Sequence, residues 1–472
     1  MDHRGARSLD FHGSRAATAP MTWGQRAIWK SIRWLDGEAH YFNIRRIVEV
    51  PPELTVDQVV DGLTALVSRY EALRTLFRET AEGGWIQEVA DRGSVPLEIA
   101  EAAPGAADDL AEQVADALVR RTFRHDTEVP FRATLVLEDG RPARLALVFS
   151  HLGVDFWGVR ELLRELGDLL AGTPAPEPEW QPVDQARYES EGVGAARGAA
   201  AVAYWRSTLE KVPATLFPPA PAGDEGRPER FVRLGMDSPA AALAATALAD
   251  RCQTSTGTVL LAATAAVLGA YTGHSTVPLQ LIAVNRHDDR TRRLVAAMAE
   301  NALFSLDVAE GTFDQAVRRA FLAGMNAYRH AHYDPIAVDE VLDAARARSG
   351  DTLNLGQFFN DKRLHDRWED LPDTGGDPAR LADLAGKTRV FHVGSWERQD
   401  ATFFVHTSYA PDTCLLYLMA DTDLIPRPDI ERLLLAFEAL LVDSADAPVE
   451  LAAFRSVAPR AGRPTDVPNA SR

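Results

Sequence analysis

Phe149-Ser150-His151-Leu152-Gly153-Val154-Asp155-Phe156-Trp157-Gly158 is the stretch on which the fold turns. Just before it, Ala143 to Phe149 reads as a buried strand. Just after it, Trp157 to Leu170 carries Leu162, Leu163, Leu166, Leu169 and Leu170 at helical spacing. The stretch therefore lies where a hydrophobic strand ends and a helix begins. Strand ends of this kind are where α/β proteins present reactive side chains to a crevice. His151 is the histidine in the strongly apolar setting, and Asp155 follows four residues later. A histidine there can act as a general base or hold a nucleophile. The plainer reading is a satisfied core histidine with a capping aspartate, and an H-x-x-x-D pattern arises by chance about once in a chain of this size.

Working outward, Val56, Val59, Val60, Leu63, Leu66 and Val67 recur at helical spacing. Further on come a helical zone (Ala240 to Tyr271), a strand (Val277 to Val284), a helix (Thr312 to His330), strands at Ala401 to Tyr409 and Cys414 to Ala420, and a helix from Asp429 to Val442. Strands mixed with helices predict an α/β or α+β architecture. Pro- and Gly-rich segments interrupt it at Thr173 to Pro182, Phe217 to Pro228 and Leu371 to Asp377. The first is the best candidate boundary. It predicts an N-terminal part over 21–182 and a C-terminal part over 183–457, with flexible polar tails at 1–20 and 458–472.

Composition narrows the function. The chain has 472 residues with 50 basic and 68 acidic side chains, a formal charge of −18, so a general nucleic-acid binder is disfavoured. Cys252 and Cys414 are the only cysteines, which excludes a disulfide framework or a Cys-built zinc site and suits a reducing, cytoplasmic setting. The N-terminus lacks the apolar core of a signal peptide. The longest apolar run, Val259 to Tyr271, is too short to span a bilayer and reads as a buried helix. His330 and His332 are two apart, but no further ligands complete a zinc site, and they read more simply as surface or motif residues. Asp288 to Arg293 reads as a solvated charge run or a docking patch. Trp23, Trp29 and Trp34 read as core anchors.

Several segments in order add a resemblance. Met21-Thr22-Trp23-Gly24-Gln25-Arg26-Ala27-Ile28-Trp29 precedes Tyr41-Phe42-Asn43-Ile44 and then Ser68-Arg69-Tyr70-Glu71-Ala72-Leu73-Arg74-Thr75-Leu76-Phe77. These resemble the opening motifs of condensation domains of nonribosomal peptide synthetases. The third resembles R-H-E-x-L-R-T-x-F with Tyr70 for the histidine. Ser150 to Phe156 sits at the H-H-x-x-x-D-G signature, and Tyr204-Trp205-Arg206, Asn285-Arg286, Glu300 to Leu303, His332-Tyr333-Asp334-Pro335 and Phe358-Phe359-Asn360 resemble later motifs. The resemblance runs from about Met21 to Val442.

It implies two lobes like chloramphenicol acetyltransferase, set in a V around a central tunnel. It implies a carrier protein, met in trans, that presents an acyl or aminoacyl thioester on a phosphopantetheine arm, and an amine or alcohol acceptor, free or carrier-bound. His151 would be the base or positioner and Asp155 the structural partner of an arginine, with Arg286 the first choice and Arg74 the second. Ser150 would be structural at the site, and Phe156, Trp157, Gly158 and Asn360 would line the channel. The family needs no bound metal or redox cofactor, and its members are usually monomers. With no adenylation or carrier segment following, the chain reads as a free-standing condensation enzyme of antibiotic-type secondary metabolism, away from nucleic acid and membrane, the alternative being a fragment of a larger synthetase.

Two departures matter. Ser150 replaces the first signature histidine. Neighbours on a strand face opposite ways, so Ser150 and His151 do not suit a nucleophile pair. Phe156 replaces the closing glycine and is expected to narrow the channel or shift the loop. They leave open a catalytically silent domain that recruits a partner enzyme. Acyl transfer from coenzyme A is a variant of the first reading. Epimerising members keep both histidines and heterocyclising members replace them with aspartates, so neither pattern fits.

Overall fold

The computed structural model describes residues 3–35, 39–81, 83–173, 176–217, 227–350, 352–372 and 378–461. The chain divides into two units. One comprises Met1–Ala200, Val284–Glu300 and His332–Pro335; the other comprises Ala201–Ala283, Asn301–Ala331 and Ile336–Arg472. Strands and helices alternate through both, giving the mixed α/β architecture that the pattern predicts.

Among the described residues, eight strands belong to the first unit: β1 (His3–His12), β2 (Ala17–Pro20), β3 (Asn43–Glu49), β4 (Thr75–Glu79), β5 (Trp85–Val89), β6 (Arg92–Ala102), β7 (Phe131–Glu138) and β8 (Arg141–Ser150). They form a five-stranded sheet in the order β1-β6-β7-β8-β3 and a three-stranded sheet in the order β2-β5-β4. The period-2 alternation of β8 sets its two faces. Leu145, Leu147 and Phe149 join the core that includes the helices Val56–Arg69 and Phe156–Leu170. Ala146 and Val148 face the other way, onto Val114, Ala115 and Leu118 of the helix Ala107–Val119. Ser150 shares the parity of Ala146 and Val148, so the strand's own geometry turns its hydroxyl to that second face.

The second unit holds β9 (Phe231–Ser238), β10 (Thr276–Ala283), β11 (Glu300–Asp307), β12 (Gln357–Asp361), β13 (Arg389–Trp396), β14 (Phe403–Ser408) and β15 (Cys414–Asp421). Their order is β11-β10-β12-β14-β15-β9-β13. Leu234, Phe359, Val405 and Leu418 face a large core shared with the helices Pro239–Cys252, Thr256–Thr272, Phe313–Arg329 and Arg427–Asp446. The alternate positions, Phe231, Phe358 and Met419, make a separate cluster on the opposite face. The Thr256–Thr272 helix is apolar and buried all round, as a core helix is. Among the described residues no single helix is long and apolar enough to cross a membrane.

Three sequence expectations are corrected. Residues 3–12 and 17–20 are strands within the N-terminal stretch read as a tail. Leu9 and Phe11 are buried at period-2 spacing, opposite Val95 and Gly93 of β6. Two large apolar residues in a polar decapeptide leave little pattern to read, and pairing with β6 supplies the missing stabilisation. The division between the units falls at residue 200, within the helix Gly192–Leu209, rather than at 182. Pro182 is buried at the start of a helix (Pro182–Ser190) whose Val183 and Ala186 pack with Ala19 and Val89 of the first unit. A proline suits the first helical turn as well as a linker, and composition does not distinguish them. Trp34 is exposed, while Trp23 is buried and Trp29 packs against Trp85 with ring centres 4.3 Å apart. Parts of the three predicted loops (174–175, 218–226, 373–377) and of the C-terminal tail (462–472) lie outside the described residues.

Candidate active site

β8 ends at Ser150, and the chain turns at once. Gly153 and Val154 donate their N–H groups to the Ser150 carbonyl, and the His151 N–H bonds Phe42 O at 3.0 Å. His151 is thereby held at the lip of the sheet, half-buried, its ring edge-on to Phe42 at 6.4 Å. The turn needs Gly153, because a Cβ there would lie 2.7 Å from Pro130. Burial lowers the His151 pKa, with the Asp155 charge and the residue's own carbonyl opposing more weakly. The ring is therefore neutral near pH 7, and its Nδ1 makes no ordinary hydrogen bond. A neutral imidazole in an apolar setting is the protonation state a general base requires.

Asp155 has two tasks. Its Oδ1 accepts the Gly158 N–H at 2.9 Å, capping the helix Phe156–Leu170. Both oxygens also meet Arg286: Nη1 donates to Oδ2 at 2.7 Å and Nη2 to Oδ1 at 2.8 Å. The Met298 N–H donates to Oδ2 at 3.0 Å. Arg286 spends its remaining donors on the carbonyls of Val284, Leu294 and Ala296. The side chains are 2% and 5% exposed, so this is a buried, two-pronged ion pair with its other valences satisfied. Asn285 delivers Arg286 from a left-handed backbone (φ 51°), a conformation Asn tolerates better than most residues. Gly158 is required for close approach, since a Cβ would lie 2.4 Å from Val154 and 3.4 Å from the Ala296 backbone.

The other site residues fall in different places. Arg74 is wholly buried but donates to the carbonyls of Arg15 and Ala90, so it is not a partner of Asp155. Its neighbours are fixed by the strands β4 and β5, which sequence spacing does not reveal. Phe156 begins the helix with its ring exposed, 5.4 Å from the Arg46 guanidinium and edge-on to Trp157 at 6.0 Å. Its φ is not in the left-handed region, so replacing a glycine there brings no backbone strain. Trp157 is also partly exposed and lies beside Arg160. Asn360 belongs to the second unit, on β12 opposite His406 of β14.

Ser150 has a partner that the sequence did not suggest. Its hydroxyl lies 2.7 Å from His125 Nε2. No hydrogen bond joins it to His151. Ser150 is 1% exposed and His125 8% exposed, and burial lowers the His125 pKa to about 4. The histidine missing from position 150 is thus matched by one reaching in from the loop before β7. A cavity of about 520 Å³ beside it is lined in part by Trp29, Trp85, Phe123 and His125. Ser150→Ala strands the buried imidazole nitrogen and should cost about 1–3 kcal/mol, whereas Ser150→Ala with His125→Leu should cost less than the single change. Urea unfolding of both variants checks this, and a single variant as stable as wild type would disprove the pairing.

His330 and His332 part company. His330 stacks on Tyr204 at 4.6 Å. His332 lies between two buried carboxylates, its Nε2 3.1 Å from Glu189 Oε1 and its Nδ1 3.5 Å from Glu300 Oε2. Glu189 also accepts the Trp23 N–H, and Glu300 accepts the Tyr333 N–H. This knot ties the segments 284–300 and 332–335 into the first unit, and the former carries Arg286. Burial alone lowers the His332 pKa, but Glu300 and Glu189 together push it up to about 10, and burial pushes Glu300 up to about 7. The unfolded histidine titrates near 6.5, so the fold retains an extra proton between there and about 10. The stabilisation is complete below about pH 6.5 and is lost as pH rises toward 10. The stability advantage of wild type over His332→Gln should shrink across that window; an advantage that grows with pH would refute this account.

Relatives bear on this geometry. A family model described as Condensation domain matches residues 15–353. The chain is 27% identical over 400 residues to a dimodular nonribosomal peptide synthase of Bacillus subtilis (strain 168), covering 81% of this chain and 16% of that protein. It thus spans only a small part of that relative's length. Among solved structures, SgcC5 of Streptomyces globisporus, with (R)-(-)-1-(2-naphthyl)-1,2-ethanediol and sucrose, is similar with a TM-score of 0.64 at 18% identity, covering 91% of this chain and 100% of that one. The X-domain in its complex with OxyB from teicoplanin biosynthesis is similar with a TM-score of 0.67 at 18% identity, covering 95% and 98%. With the family model matched over most of its length, and this strand-to-helix turn within the match, the chain belongs to the condensation-domain family.

Proposed function

We propose that this chain transfers an acyl or aminoacyl group from a carrier-protein thioester to an amine, forming an amide. The observation that carries the reading is His151: a neutral imidazole at the end of β8, on a turn fastened by the buried Asp155–Arg286 pair. In the proposed step the amine nitrogen attacks the thioester carbonyl while His151 orients it or accepts its proton. The C–N bond forms, the C–S bond breaks, and the departing thiolate takes up the proton. A thioester is already activated, so alignment of the two reactants supplies much of the acceleration. Members of the family act on carrier-bound substrates, which supports a phosphopantetheine-tethered donor and a mobile carrier as partner. An alcohol acceptor, giving an ester, is a variant of the same step. The two free, buried cysteines suit a cytoplasmic setting.

The test supplies an acylated carrier protein and a panel of amines and alcohols to the purified chain. Mass spectrometry follows loss of the acyl group from the carrier and growth of the amide or ester. An enzyme that discharges no donor with any acceptor would count against the reading. A second reading is a catalytically silent domain that recruits a partner enzyme. Exposed Phe156 in place of the signature's closing glycine, with exposed Trp157 beside it, favours it, as does the likeness to an X-domain solved with OxyB. It requires that the biological output survive His151→Ala.

A further inference from the structure

The seven-stranded sheet of the second unit has a second face, opposite the one that packs on the helices. Register places Asn360, His406, Tyr417 and Gly235 in one row across β12, β14, β15 and β9. The next row holds Phe358, Phe404, Met419 and Arg233. These positions alternate with Phe359, Val405, Leu418 and Leu234, which face the helices, so both rows lie on the opposite side. Lys362 follows two residues after Asn360, just past the end of β12.

The face is aromatic and positively charged. His406 stacks on Tyr417 at 4.8 Å with rings 14° apart, and meets Phe404 at 5.7 Å. Arg233 lies 4.6 Å from the ring of Trp396. Among the described residues no ion pair joins Arg233 or Lys362 to a carboxylate. Asp361, between Asn360 and Lys362, is engaged instead by Arg363 and Thr407. The Nε of Arg233 is buried with no hydrogen-bond partner, and so is Nδ1 of His406, a residue only 6% exposed. Burial, then the Lys362 and Arg233 charges, push the His406 pKa down to about 3.

Such an arrangement is costly by itself. Two cations without counter-charge repel one another and keep the buried imidazole neutral, and buried polar atoms without partners destabilise the fold. In a chain of net charge −18 a nearby carboxylate is the common outcome, and among the described residues none pairs with these cations. We propose that this face of the second unit is an oxyanion-binding site that takes a carboxylate or phosphate group of a ligand. Arg233 and Lys362 supply the charge, His406 supplies an N–H, and Phe404, Tyr417 and Trp396 form the apolar surround. Arg233 offers a planar set of donors suited to either oxyanion, and Lys362 a mobile point charge at the rim.

Calorimetric titration of the full chain with two matched pairs of probes tests this. One pair is 4′-phosphopantetheine and pantetheine. The other is the succinyl and butyryl thioesters of N-acetylcysteamine. At low salt the anionic member of at least one pair should bind about tenfold more tightly than its neutral counterpart. Lys362→Met should cut that advantage and Lys362→Met with Arg233→Met should abolish it, leaving the neutral member unchanged. An advantage confined to the phosphate pair assigns the site to a carrier arm; one confined to the succinyl pair assigns it to a substrate carboxylate. Equal binding within both pairs would overturn the proposal, as would an advantage that survives in the double variant. Lys362 is exposed, so its single variant remains a test even if Arg233→Met fails to fold. Binding is read with no acyl transfer involved, so this result stands or falls apart from the reaction proposed above.

Discussion

His151→Ala should lower the rate of acyl transfer by roughly 10²- to 10⁴-fold, the range for a positioned acid–base group, with little change in stability. The ring's Nδ1 makes no ordinary hydrogen bond, so truncation strands no partner there. The residue's structural contribution is its backbone N–H to Phe42, which alanine keeps. Single-turnover transfer from an acylated carrier measures the loss, and circular dichroism verifies the fold. Because burial depresses the His151 pKa, the acid limb of the wild-type rate profile should fall below the ordinary histidine value of about 6.5. A variant with wild-type turnover would remove His151 from the mechanism and leave the recruiting role standing.

The largest loss of stability should follow from parting Asp155 and Arg286. Arg286→Met leaves a buried carboxylate with two backbone N–H groups and no counter-charge. Asp155→Ala leaves a buried guanidinium on three carbonyls and removes the helix cap. Each should cost about 3–5 kcal/mol. The double variant should cost clearly less than the sum, because neither charge is then left alone. Urea midpoints of the four proteins close the cycle. Activity should fall in the single variants even where they remain folded, since the pair fastens the turn that carries His151. Additive losses would show that the two side chains are not coupled.

Much of this site lies close together in the chain. Strand, turn, His151, Asp155 and helix occupy thirty consecutive residues, so apolar periodicity and one acidic cap suffice to read them. Arg286 is more than a hundred residues away, and its relation to Asp155 came from the family resemblance rather than from any spacing. His125 carried no signal at all: it is a lone histidine in a loop, meaningful only because β8 turns the Ser150 hydroxyl toward it. Glu189, Glu300 and His332 are equally scattered, and only the return of two short segments to the first unit brings them together. The strands at 3–12 and 17–20 were hidden for a related reason, since few of their side chains are apolar and the sheet pairing completes them.

The sequence by itself determined the alternation of strands and helices, the buried apolar helix at Thr256–Thr272 and the strand end that presents His151. Each is a local property, fixed by side-chain periodicity and backbone preference within a few turns. Only the tertiary structure decided which arginine neutralises Asp155, which group satisfies Ser150, where the units divide, and that Arg233, Lys362 and His406 share one sheet face. Those outcomes depend on register and on the pairing of distant segments. There the cost of a lone buried charge or an unmet hydrogen bond selects a partner that no local pattern names.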